Sequence, residues 1–149
     1  MLYLEDLHIG DRFKSRSYLM SEDEVLSFAR QYDPQSFHTD ASAAEKHPIF
    51  KGLAASGWHT AAVTMRLWTE CFPVTYGLIG SESHIRWPRP TRVNDELYVV
   101  VEITAIHHSR SKPDRGIVSY ETYTYNQKDE LVYQSTTKIL VFTKQYQPS

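Results

Sequence analysis

Apolar residues recur every third or fourth position over 21–32 and 52–72, and side chains alternate in character at every second position over 117–125. The first spacing places side chains on one face of a helix, the second on one face of a strand. Ser21 and Glu24 form a capping box, and Val25, Phe28, Ala29 and Tyr32 follow at helical intervals. Pro34 closes this helix, because the residue before a proline avoids the helical region. Asp40 caps a second, short helix over 41–46, which Pro48 ends. A third helix is predicted over 52–72, opened by Gly52 and stopped by Pro73. It is apolar on nearly every face, which predicts a buried central helix.

Ile9-Gly10-Asp11 reads as a turn before a strand over 12–20, whose charged and hydroxylic residues predict an edge. Further strands are predicted over 83–87, 96–108, 117–125 and 131–142, the second rich in valine. Loops of a few residues between them predict antiparallel neighbours. One strand, three helical segments and four strands are best buried as an α+β domain, an antiparallel sheet curled around the long helix.

A length of 149 residues fits a single domain over 1–149. The net charge of −2 hides no long run of one sign, so nucleic acid is not expected as a partner. No segment approaches about twenty apolar residues, so no membrane span is expected either. The single cysteine cannot form an internal disulfide, and the first residues lack a signal-like pattern. Both point to a cytoplasmic protein.

The chemistry concentrates in Tyr32-Asp33-Pro34-Gln35-Ser36-Phe37-His38-Thr39-Asp40, with Gly52 following shortly after. A carboxylate, an imidazole and a backbone donor are the parts needed to add water to, or remove it from, an activated carbonyl compound. Partial burial is expected to raise the pKa of Asp33 from about 4 towards neutrality, making it the base. Asp33 taken alone would read as an ordinary turn residue before proline. Gln35 and Ser56 are further candidates for substrate contact, although Ser56 is equally suited to bonding its own helix. His38, Asp40, His47 and His59 lack zinc-like spacing, so no metal is expected.

These segments, with Gly52-Leu53-Ala54-Ala55-Ser56-Gly57-Trp58-His59-Thr60, Arg86-Trp87-Pro88-Arg89-Pro90 and the 109–116 loop, resemble the MaoC-like dehydratases. That family includes the (R)-specific enoyl-CoA hydratases. The resemblance implies the hot-dog fold, usually as a homodimer joining two sheets edge to edge. It implies a coenzyme A or carrier-protein thioester as substrate, with coenzyme A part of the substrate and no separate cofactor. By motif match, Asp33 and His38 take the positions of the catalytic pair, and Gly52 that of the glycine whose amide holds the thioester oxygen. The best-known hydratase motif reads Gly-Asp-x-Asn-Pro-x-His; here Tyr32 precedes the aspartate, Pro34 follows it and Gln35 replaces the asparagine.

Reversible hydration of a 2-enoyl thioester to a (3R)-hydroxyacyl thioester is the expected reaction, with either Asp33 or His38 returning the proton. A thioesterase and a non-catalytic acyl-thioester-binding module are the alternatives. Arg110 and Lys112 are either a phosphate clamp for coenzyme A or cations of a solvated hairpin.

Overall fold

The computed structural model describes residues 1–148. Six strands form the sheet: β1 (Arg12–Lys14), β2 (Tyr18–Leu19), β3 (Ile79–Arg86), β4 (Glu96–His108), β5 (Arg115–Tyr125) and β6 (Leu131–Phe142). Their spatial order is β1-β4-β5-β6-β3, and β2 also pairs with β4. Every pair is antiparallel. The helices are α1 (Glu22–Tyr32), α2 (Ser36–Thr39), α3 (Ala41–Glu45) and α4 (Gly57–Cys71).

Period-two burial is complete in β5, where Val118, Tyr120, Thr122 and Thr124 point inward. Their inner face meets α4 through Val63, Leu67 and Trp68, closed by Phe72 just beyond the helix. Tyr120 is wholly buried and packs edge-on against Trp68 and Phe72, with ring centroids 5.1 and 5.5 Å away. No helix among the described residues is long and apolar enough to cross a membrane.

Several boundaries differ from those predicted. The strand expected over 12–20 is two short pieces, because the chain between them turns Arg16 outward to a bidentate pair with Glu70 of α4. The 83–87 strand begins earlier, at Ile79, and exposes all but one of its residues at the sheet edge. α2, which carries His38, was not predicted at all; its N-cap Gln35 makes no side-chain capping bond, so the usual signal is missing.

The largest correction concerns the long helix. α4 starts at Gly57 rather than Gly52, because residues 52–56 form an irregular segment with a bend at Gly52. Ala54 forms an isolated antiparallel bridge with Arg92, and the Ala55 amide donates to the Thr91 carbonyl at 2.9 Å. Ser56 caps the helix, its Oγ accepting from the Trp58 amide at 3.3 Å. Nor is α4 buried on every side, since Trp58 and Met65 are exposed at 59% and 41%.

Candidate active site

Asp33 is the residue immediately after α1, and its amide closes that helix on the Ala29 carbonyl at 2.9 Å. The turn of α2 then swings His38 back beneath it. His38 Nδ1 lies 2.6 Å from the Ala54 carbonyl, and its Nε2 lies 3.4 Å from Oδ2 of Asp33. A carbonyl oxygen only accepts, so Nδ1 must carry the proton and donate. In the neutral ring, Nε2 is then left with its lone pair facing the carboxylate.

Two side chains hold Asp33 itself. Ser56 Oγ donates to Oδ2 at 2.7 Å, and Gln35 Nε2 donates to Oδ1 at 2.6 Å. Ser56 is wholly buried and His38 nearly so, so their side of the network is shielded from bulk water, while Gln35 is exposed. Burial alone would push the Asp33 carboxyl up, but donation from Gln35 and Ser56, with the nearby imidazole, brings it below its ordinary value of 3.8. The rise towards neutrality expected from the sequence is therefore corrected: the fold supplies donors to the ionised form that outweigh desolvation.

Asp33 and His38 open onto a cavity of about 490 Å³. Its walls include Phe37, Ile49, Phe50, Trp58, Trp87 and Arg89. Phe37 and Phe50 stack at 4.6 Å, while Trp58 and Trp87 meet edge to face at 5.2 Å. Such walls favour an apolar group, and the carboxylate with its imidazole is set among them together with Thr60, Thr91 and Arg89.

Gly57 also lines this cavity. The amides of Trp58, His59 and Thr60 all bond to Ser56, whereas the Gly57 amide takes no partner among the described residues. It is thus the donor that the start of α4 leaves available beside the pair. Trp87 donates from Nε1 to the Gly57 carbonyl at 2.9 Å. A Cβ on Gly57 would lie 2.9 Å from that indole ring, so any larger residue requires Trp87 to move.

Gly52 has a different place from the one expected. It sits in the loop before Ala54, is absent from the cavity wall, and offers its carbonyl to Arg92 at 2.8 Å. The cue for Gly57 was present in Ser56-Gly57, a standard cap followed by the first helical residue, but the glycine-led run before it obscured the boundary. Gln35 and Ser56 are brought to the site as partners of Asp33. Arg110 and Lys112 are not brought there. Their hairpin joins β4 to β5 at the end of the sheet opposite Glu130, and Glu130 pairs at 2.9 Å with Arg89 on the cavity rim. With β5 eleven residues long, the two ends lie about 30 Å apart.

The other candidate ligands for a metal are each otherwise engaged. Asp40 caps α3, His47 accepts from the amides of Ile49 and Phe50, and His59 stacks on Phe28 at 4.7 Å. Among the described residues, no group of three or more His, Cys, Asp or Glu converges to hold a metal.

Comparison with known proteins gives this arrangement a family. A model of the MaoC like domain matches residues 6–126. The chain is 34% identical over 142 residues to the uncharacterized protein YdeM of Bacillus subtilis (strain 168), covering 93% of this chain and 97% of that one. The crystal structure of a MaoC-like dehydratase from Rhodospirillum rubrum superposes with a TM-score of 0.94 at 47% identity, over 98% of this chain and 100% of that one. The (R)-hydratase from A. caviae involved in PHA biosynthesis shares the fold, with a TM-score of 0.74 at 24% identity, over 91% and 97% of the two chains. The chain belongs to the MaoC-like family and has its hot-dog fold, in the α+β class. It is thereby a member of a family of hot-dog dehydratases.

Proposed function

We propose that this protein is a hydro-lyase that adds water reversibly across the double bond of a 2-enoyl thioester to give a (3R)-hydroxyacyl thioester. One observation carries the reading: Oδ2 of Asp33 and Nε2 of His38 lie 3.4 Å apart on the wall of a cavity that is also lined by Gly57, whose amide is unpartnered among the described residues. A carboxylate and a lone-pair nitrogen are both acceptors and repel one another when nothing lies between them. A water donating one hydrogen to each relieves that repulsion and turns its lone pairs towards the cavity.

In the forward step the water oxygen bonds to C3, the C2–C3 double bond is lost, and negative charge moves onto the thioester oxygen. The Gly57 amide, at the positive end of α4, stabilises that charge. The Asp33–His38 pair takes the proton from the water and a proton is returned to C2, so water is added in full. Asp33, held as an anion, compensates the positive charge when the proton resides on the imidazole. This chemistry calls for no metal or redox group, and coenzyme A or an acyl carrier enters only as part of the substrate. The aromatic walls fit the hydrocarbon part of the acyl chain. We further propose a homodimer, supported by β3, which pairs only with β6 among the described residues and leaves its other edge open.

The test is to incubate the purified protein with short, medium and branched 2-enoyl-CoAs, following loss of the enoyl absorbance, chirality of the product and release of free thiol. A (3R)-hydroxyacyl product without free thiol is expected. Release of thiol instead assigns a thioesterase, and binding without turnover on every chain length assigns an acyl-thioester-binding module.

A further inference from the structure

We propose that Arg92 is a positioning residue for the Asp33–His38 pair, acting through the loop that fixes which nitrogen of His38 bears the proton. Arg92 lies two residues beyond Pro90, outside the cavity wall, and carries no role in the chemistry described above. Its guanidinium reaches into the 50–53 loop and donates to three of its carbonyls: Nη1 to Gly52 at 2.8 Å and to Leu53 at 3.4 Å, and Nη2 to Phe50 at 2.5 Å. None of these three carbonyls accepts a backbone bond outside helices and strands among the described residues. The planar fork of an arginine can span such a group of acceptors, which a lysine ammonium cannot do.

The loop so gathered leads directly into Ala54, whose carbonyl receives His38 Nδ1–H. The backbone of Arg92 is bridged to that same residue, and the Ala54 amide is tied back to the Phe37 carbonyl at 3.3 Å. Arg92 is itself anchored. Its amide donates at 2.8 Å to Oδ2 of Asp95, a buried carboxylate that accepts from Gln127 through its other oxygen at 2.9 Å. A continuous set of contacts therefore runs from Asp95 through Arg92 and the 50–53 loop to Ala54, His38 and Asp33. Phe50, on the same loop, forms part of the acyl wall, so the clamp also sets the cavity surface.

The consequence is specific. With the Ala54 carbonyl in place, neutral His38 is held with Nδ1 protonated and Nε2 free to meet water. If the loop loosens, the Nε2–H tautomer becomes accessible, and in that form Nε2 presents a proton to the carboxylate and can no longer accept one from water. Misplacing a reacting group by about 1 Å can cost about 10²-fold in rate.

The experiment uses protein labelled with ¹⁵N-histidine, comparing the parent with Arg92→Met and Arg92→Lys. Resonances of His38 are assigned by their loss in His38→Gln. In the parent, His38 is expected as the Nδ1–H tautomer. Arg92→Met is expected to show averaging with the Nε2–H form and about a 10²-fold fall in kcat, larger than the change in KM. Arg92→Lys should lie between the two, with about a 10-fold fall in kcat because a single ammonium nitrogen replaces a planar fork. An arginine needed only for stability would lower Tm and leave the tautomer and kcat of the folded protein as they were, which overturns the proposal. If Arg92→Met does not fold, unchanged values in Arg92→Lys overturn it equally. The kinetic arm rests on the hydratase reading, but the tautomer does not. A shifted tautomer with no thioester hydrated by the parent upholds the positioning role and removes the reaction. An unshifted tautomer in an active hydratase does the reverse.

Discussion

The hydroxyl of Ser56 donates to Oδ2 of Asp33 at 2.7 Å across 23 residues of chain, while the same oxygen accepts the Trp58 amide that opens α4. One side chain therefore caps the central helix and holds the carboxylate in its ionised form. Ser56→Ala removes both functions. Loss of a cap costs about 1 kcal/mol of stability, and loss of a hydrogen bond to a charged group about 1.5–3 kcal/mol. Calorimetry should show the first. The second should appear as a fall of about 10- to 10²-fold in kcat/KM, with the acid limb of the pH profile moved upward.

Asp33→Asn and His38→Gln are each expected to reduce hydration by about 10²- to 10⁴-fold while leaving the far-UV spectrum and thermal midpoint near those of the parent. Neither change alters packing, since both nearly preserve side-chain volume. A folded variant that hydrates at parental rates on every accepted substrate would exclude that residue from the mechanism.

The Asp33 carboxyl is held below 3.8, with burial opposed by Gln35, Ser56 and His38. A group whose folded pKa is depressed adds stability above its ordinary pKa, and that stability is lost as pH falls through the folded value. Activity that depends on the Asp33 anion should accordingly be constant through neutrality, and its loss on this account should have its midpoint below pH 3.8. Initial rates in constant-ionic-strength buffers would test this; a limb at neutral pH that disappears in Asp33→Asn would contradict it.

His59 titrates in the opposite manner to a paired histidine. Its ring is buried against Phe28, Nδ1 has no partner, and burial lowers its pKa below the ordinary 6.5. The unfolded chain then takes up the proton first as pH falls. Stability is complete above pH 6.5 and declines from there towards the lower, folded value. Thermal midpoints measured from pH 8 to 5 should fall in the parent and fall less in His59→Phe, which keeps the stack without the titrating nitrogen.

Gly57→Ala places a methyl group 2.9 Å from the Trp87 indole. Overpacking of this kind costs about 1–3 kcal/mol, and displacing one oxyanion donor costs about 10²- to 10³-fold in kcat. Adding Trp87→Leu should recover part of the midpoint. A parental kcat in Gly57→Ala would show that the amide has kept its place, whereas a parental kcat in Gly57→Pro, which has no N–H, would remove the amide from the proposed mechanism.

Periodicity made most of the architecture legible before any coordinates. Alternation across residues 117–125 and the apolar run that ends 131–142 placed β5 and β6 to within a few residues, and Ser21 with Pro34 bounded α1 closely. These signals are local, because burial on one face selects each residue by its own position in the repeat. The Asp33–His38 spacing was legible in the same way, since a short connection keeps two side chains close in many conformations.

Contacts between distant segments settled the rest. Gly52 leads a run of small residues that suits a helix, yet the strand-like bridge of Ala54 to Arg92 and the reach of the guanidinium to the Gly52 carbonyl keep that run out of the helix. The helix, and with it the free amide, therefore begins at Gly57. The direction of the Asp33 shift was decided likewise, because the sequence discloses that a carboxylate is near the core but not that a serine 23 residues later will donate to it. Propensity and periodicity act within a few residues of chain, whereas hydrogen bonds to a buried charge depend on which segments the sheet and helix bring together.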